Sequence, residues 1–169
     1  MSTSSGVDTE LLRGVHRRFV TGVTVVTTAG ADGVPRGLAV NAFASISLEP
    51  PLIMVCVQKT SSTYEPLFGS SYFAVNLIAA DQMPVVGVFA SKRDDKFTDV
   101  AWHPGLHGAP ILEGTCAYME VEMQERLQAS THTVFLGKVV DAQHSDRPPL
   151  LYGGGAFYDG AQLVPVERS

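Results

Sequence analysis

The sequence predicts a mainly β protein, a β-barrel carrying a few peripheral helices. Three observations lead there. Short β-branched runs recur along the whole chain, as in Val23–Thr28 and Leu52–Val57. Turn signals separate them, among them Asp32-Gly33, Pro50-Pro51 and Gly153-Gly154-Gly155. From Ala117 to Met123 apolar and polar residues alternate, the pattern of an antiparallel strand with one wet face.

Residues 1–7 read as a flexible tail, with one domain over 8–169. Asp8 is placed to cap a short helix running to about Arg18, with Leu11, Leu12, Val15 and Phe19 on one side. Val23–Thr28 is a strand, and a hairpin turn at 29–33 returns the chain from about Arg36. Gly37–Asn41 then feeds the stretch on which the reading turns. It carries the hydroxyls Ser45 and Ser47, breaks at Pro50-Pro51, and continues as the six-residue apolar run Leu52–Val57, read as a strand buried on both faces.

That strand ends in Lys59, Thr60, Ser61, Ser62 and Thr63. Ser62-Thr63-Tyr64-Glu65 fits a capping box, so a helix is expected here. A cation, several hydroxyls and free N–H groups at one helix start are a recipe for holding a phosphate. A plain polar turn before an ordinary capped helix is the alternative.

Tyr72–Ile78 reads as a buried strand, and Asp81 as the cap of a helix from Gln82 to about Ala90. Ser91–Thr98 is a charged loop, and Trp102–Pro110 is irregular. Strands follow at Ala117–Met123 and Thr133–Ala142, with a turn near Gln128–Thr131. A short apolar segment, Leu150–Tyr152, and a last strand at Gln162–Val166 complete the chain.

Bulk properties narrow the function. Charged residues are only 17% against 45% hydrophobic, so more than water is expected to cover the surface: a second copy, a cofactor, or both. A formal net charge of −5 without a basic run argues against nucleic acid. The N-terminus lacks the features of a signal peptide and no apolar run approaches spanning length, so a cytoplasmic protein without membrane insertion is expected. Cys56 reads as a small core residue. His103 and His107 are four apart, but Pro104 and Gly105 between them disfavour the helix a metal pair would need. No Gly-x-Ser-x-Gly elbow supports a hydrolase.

The chain resembles the short-chain flavin reductases, whose fold is the FMN-binding split barrel. The segments that carry the resemblance are TGVTVVTT (21–28), NAFASISLEPPL (41–52), KTSST (59–63), YFAVNLI (72–78), DKF (95–97) and PLLY (149–152), together covering roughly residues 10–160. The resemblance implies a homodimeric, Greek-key-like split β-barrel that binds FMN or FAD. It implies oxidation of NADH or NADPH, with hydride passing to the flavin and reduced flavin supplied to a separate oxygenase. By position, Asn41 and Ala42 would lie along the isoalloxazine edge, and Ser45 and Ser47 would reach the ribityl chain or phosphate. Val57, Lys59, Ser61, Ser62 and Thr63 would form the phosphate end, and Ala90, Ser91 and Lys96 would approach from the charged loop. His132 would lie near the nicotinamide. The departure is at this last turn, where Ser130-Thr131-His132 replaces the Gly-Asp-His of many members. Two other classes share parts of the pattern: a flavin-binding electron carrier or redox sensor without turnover, and an oxidase like the pyridoxamine-phosphate oxidases.

Overall fold

The computed structural model describes residues 6–168, so the expected tail at 1–7 lies largely outside the described residues. Helix α1 (Thr9–His16) begins as expected, with the Asp8 carboxylate accepting from the Leu11 N–H at 3.3 Å. It stops short of Arg18, and none of its residues is buried. A two-residue strand β1 (Thr21–Gly22) follows. It precedes β2 (Thr24–Ala29), β3 (Pro35–Val40), β4 (Phe43–Leu48) and β5 (Pro51–Gln58).

Next come α2 (Tyr64–Phe68), β6 (Tyr72–Leu77), α3 (Met83–Ala90) and a 3-10 turn at Lys96–Thr98. Strands β7 (Trp102–Pro104), β8 (Pro110–Leu112), β9 (Ala117–Ala129), β10 (His132–His144), β11 (Leu150–Gly153) and β12 (Ala156–Asp159) complete the fold.

Seven strands form one antiparallel sheet in the order β3-β2-β6-β9-β10-β5-β4. Its two edge strands, β3 and β4, are consecutive in the chain and joined only by Asn41 and Ala42. The sheet therefore curls until its edges are one short connection apart, yet no ladder closes them. This is a split barrel. The main core fills it with Val26, Val55, Val57, Phe73, Val121 and Phe135. A second core, with Val25, Ile78, Val86 and Phe89, seats α3 on the outside. No helix among the described residues is long and apolar enough to cross a membrane.

Several elements differ from the sequence reading. Strand β5 is not buried on both faces: Ile53, Val55 and Val57 point inward, while Leu52, Met54 and Cys56 are half-buried on the outer face. Cys56 is thus a wall residue rather than a core one. The capping box does not form. Thr63 is the N-cap of α2, its own backbone is helical and its side chain makes no cap bond. Its hydroxyl is instead taken by the Gly37 carbonyl at 3.0 Å.

Gln82, not Asp81, precedes α3, because its amide oxygen accepts from the Ala79 N–H while its NH2 donates to the Glu113 carbonyl. Residues 102–110 are ordered by pairing of β7 with β8. Residues 163–168 form no strand; the last strand is β12, paired with β11 across the glycine turn.

The alternation on β9 also hides an exception. Glu120 belongs to the polar set by sequence but is fully buried. Its carboxylate accepts from the His107 N–H at 2.9 and 3.0 Å and from the Ala109 N–H at 3.1 Å. A carboxylate bound by several backbone N–H groups can remain in the interior. It pins the β7–β8 hairpin onto the barrel. Glu120→Ala should strand the buried Ala109 N–H at about 1–3 kcal/mol and free the part-buried His107 N–H, lowering unfolding stability by roughly 1–3 kcal/mol, and Glu120→Gln should cost less. Urea unfolding measures both, and unchanged midpoints would remove the role.

Candidate functional site

Where β5 ends, the chain turns through Thr60–Thr63 against the second half of β3 and the end of α3. These pieces enclose a cleft of about 440 Å3. Of the residues expected by sequence, it brings together Ser61, Ser62, Ala90, Ser91 and Lys96. Thr60, a member of the hydroxyl run, also lines it, and Leu38, Ala39, Gln58, Phe89 and Lys92, not anticipated from the sequence, complete its wall. A narrow groove beside it adds Thr63 and again touches Ser62 and Lys96.

Lys96 is the distinctive member, only 6% exposed. Its ammonium donates to the carbonyls of Gly37 at 3.1 Å and Phe89 at 3.3 Å. It makes no ion pair among the described residues. Burial pulls its pKa below the ordinary 10.5, with Asp94 opposing weakly. An ammonium has three donors, so two neutral carbonyls leave one bond unmade, and the charge has no direct ion-pair partner, only the weak pull of Asp94. An anionic group in the cleft supplies both. Arg93, by contrast, is engaged with Asp95 at 2.8 Å and Asp99 at 2.6 Å.

Other expected residues fall elsewhere. Val57 is buried in the core and can offer the site only its backbone, which already pairs with Thr133. The Lys59 ammonium donates to the Gln128 amide oxygen at the far end of β9, outside the cleft. Thr63 has donated its hydroxyl to Gly37. Ser47 donates to the Pro50 carbonyl, and Ser45 is exposed on β4 opposite Ile53. Neither serine lines a cleft. Helix α2 has five residues, too few to focus a useful dipole on an anion. Lys59 therefore stands outside the cleft that Lys96 lines.

Asn41 and Ala42 line a second cleft, of about 490 Å3, together with α1 and the glycine turn. Gly37 and Asn41 are four residues apart, about 13 Å along an extended chain, so the two clefts flank one strand. The Ala42 carbonyl accepts from the Cys56 N–H at 2.9 Å, and Gln58, two residues on, pairs with His132. Strand spacing then puts His132 about 12 Å from Ala42. His132 opens β10 after a two-residue turn in which Ser130 takes φ 54°, and its Nδ1 lies 2.9 Å from the Thr131 hydroxyl. Trp102 packs edge-on to Phe97 at 5.6 Å, behind the charged loop.

Cys116 donates weakly to the Leu77 carbonyl, and burial raises the pKa of both Cys56 and Cys116, so neither is an activated nucleophile. Among the described residues no cluster of His, Cys, Asp or Glu could hold a metal ion.

The site is thus a hydroxyl-lined cleft on a split barrel with a buried lysine in its wall. The chain belongs to the flavin reductase like domain family, whose model matches residues 16–161. It is 37% identical over 155 residues to the flavin-dependent monooxygenase reductase subunit HsaB of Mycobacterium tuberculosis, covering 89% of this chain and 82% of that protein. It is 35% identical to the reductase component of the trigonelline monooxygenase of Acinetobacter baylyi, over 94% of this chain but 49% of that protein. The chain thus spans about half the length of that relative. Among solved structures, the Streptomyces globisporus NADH:FAD oxidoreductase SgcE6, in complex with NAD and FAD fragments, superposes with a TM-score of 0.85 at 37% identity, covering 94% of each chain.

Proposed function

We propose that this protein is an NAD(P)H:flavin oxidoreductase that supplies reduced flavin to a separate monooxygenase. Support comes from the family, from relatives named as monooxygenase reductase components, and from a structural neighbour named for NADH and FAD. The observation that carries the reading is the buried, uncompensated Lys96 at the head of the cleft. Lys96, Ser61, Ser62 and the Ser91 segment would hold the flavin phosphate. Ala39, Asn41 and Ala42 would border the ring, largely through backbone groups.

Bound flavin supplies the two-electron chemistry, accepting hydride from a nicotinamide. The chain's residues need only bind, orient and exclude water, which suits a site without an acid–base pair. His132 would help position the nicotinamide from the adjoining strand.

A homodimer is part of this reading. The apolar residues Leu11, Val15 and Phe19 of the α1 segment and Leu163, Val164 and Val166 near the C-terminus are all exposed. Half-buried Met54, Cys56, Val134 and Leu136 face outward from β5 and β10. A cytoplasmic setting fits two unpaired cysteines.

Four outcomes test the reading. Lys96→Met should weaken FMN about tenfold or more, the loss of a charge-assisted bond, and leave riboflavin nearly unchanged. The same residue sets a pH dependence. Its folded pKa lies below the unfolded value, so in the free protein it costs stability at low pH and that cost fades as pH rises toward 10.5. Phosphate binds the charged form, so FMN affinity should fall as pH rises through the lowered pKa while riboflavin affinity stays flat. Equal losses for both flavins would remove the assignment.

His132→Ala should leave flavin affinity unchanged and lower kcat/KM for the nicotinamide substrate by about 10- to 100-fold, or 1.4–2.7 kcal/mol. A wild-type rate at limiting NADH, and likewise at limiting NADPH, would make it an ordinary strand residue. Light scattering should give the mass of a dimer at micromolar concentration, and a monomer mass with flavin present would exclude the pairing.

A further inference from the structure

The cleft that holds Lys96 runs into a groove of a different character. Ser62 and Lys96 belong to both. The cleft encloses about 440 Å3, whereas the groove, walled by Arg36, Gly37, Thr63, Arg93 and Asp94, encloses about 20 Å3. We propose that this pair of spaces selects FMN over FAD: the cleft holds a terminal phosphate, and the groove refuses the second phosphate and the adenosine that FAD adds. The proposal rests on the flavin reductase reading and names which flavin the Lys96 cleft accepts.

Three observations support it. The first is room. A cleft of about 440 Å3 is in the range of ligand pockets. The groove beyond the phosphate end has space for little more than one water molecule, and an adenylate cannot enter it.

The second is charge in the cleft. Lys96 is buried there, Lys92 stands exposed in the same wall, and neither forms an ion pair among the described residues. A phosphate monoester such as that of FMN carries a charge of about −1.5 to −2 at neutral pH, its second ionisation falling near 6. Each phosphate in the FAD pyrophosphate carries a single charge. Two cations around one phosphate position suit the monoester better.

The third is charge in the groove. Arg36 is engaged with Asp32 at 3.3 Å, and Arg93 with Asp95 at 2.8 Å and Asp99 at 2.6 Å. Asp94, in the wall itself, pairs with no cation among the described residues. Two arginines against four carboxylates leave a net charge of −2 around the groove. The Arg93 guanidinium holds the Asp95 carboxyl below the ordinary carboxylate range, which keeps it ionised. A second phosphate here meets like charge and arginines that are already satisfied. An adenylate turned out into water avoids the groove, but it leaves Lys96 facing a singly charged phosphate. FAD is the weaker ligand by either route.

The test is calorimetric titration of FMN and of FAD into the full chain. Wild type should bind FMN about tenfold or more tighter than FAD at about pH 7.5, and the ratio should shrink at about pH 5, where the FMN phosphate has lost its second charge. Asp94→Lys puts a cation at the exposed lip of the groove. It should narrow the ratio about fivefold or more by tightening FAD, with Asp94→Asn in between. Asp94 is exposed and acts only weakly on Lys96, so both variants should melt with the wild type and keep their FMN affinity. Wild-type affinity for FAD equal to or above that for FMN overturns the proposal. So does a ratio that ignores pH, or one that neither Asp94 variant moves. Should those results come with a Lys96→Met variant that still loses FMN and keeps riboflavin, the phosphate assignment stands and only the selectivity falls. Binding of neither flavin by wild type removes both.

Discussion

One backbone carbonyl ties the site to the barrel. The Gly37 oxygen accepts from the Thr63 hydroxyl at 3.0 Å and from the Lys96 ammonium at 3.1 Å. Three segments far apart in the chain thus meet at a single atom of β3: the turn after β5, the loop after α3, and the strand itself. The contact requires glycine. A Cβ there would lie 2.7 Å from the Phe89 ring and 3.2 Å from a Thr27 methyl, both in the packed interior. Phe89 in turn supplies the second carbonyl that Lys96 uses. The same close approach that forbids a side chain on β3 lets α3 sit low enough for its last turn to hold the lysine.

That arrangement explains why α2 can be so short. Five residues of helix have little stability of their own. Here the Tyr64 hydroxyl is 2.8 Å from the Thr133 hydroxyl, Leu67 is fully buried, and Arg126 donates to the carbonyls of Phe68 and Ser70 at the helix end. The helix is a spacer locked by tertiary bonds. Local pattern and tertiary demand compete here: the pattern offers Ser62 as the cap, but the helix starts one residue later, at Thr63, whose hydroxyl is held by a buried carbonyl.

The same competition separates what was legible in the sequence from what was not. The strands at 24–29, 51–58 and 72–77 and the long β9–β10 hairpin show in the sequence because β-branched and alternating residues depend only on near neighbours. So does the Asp8 cap. The β7–β8 pair was hidden because its order comes from Glu120, a charged side chain whose acceptors are filled by backbone donors more than ten residues away. Residues 162–166 look like a strand by composition, but no ladder partner lies beside them. In the cleft, the family resemblance named Ser61, Ser62, Ala90, Ser91 and Lys96, which the fold brings together, but it named Lys59 as well and did not separate the two lysines. Lys59 stands next to the hydroxyl run and faces Gln128; Lys96 stands 37 residues from Lys59 and faces the cleft.

The two clefts beside β3 hold their charges under opposite physical conditions. Lys96 is enclosed, so its field reaches a ligand through little water and is weakly screened by salt. A buried ammonium also pays its desolvation in advance, whether or not an anion is present, and a phosphate recovers part of that penalty on arrival. The arginines of α1 are exposed and stay hydrated in the free protein. An anion meeting them gains little from desolvation and is released easily, since exposed pairs contribute about 0.2–1 kcal/mol each. The fold provides both conditions because β3 is an edge strand: one of its ends is sealed by α3 and the turn after β5, while the other opens beneath a helix that buries nothing.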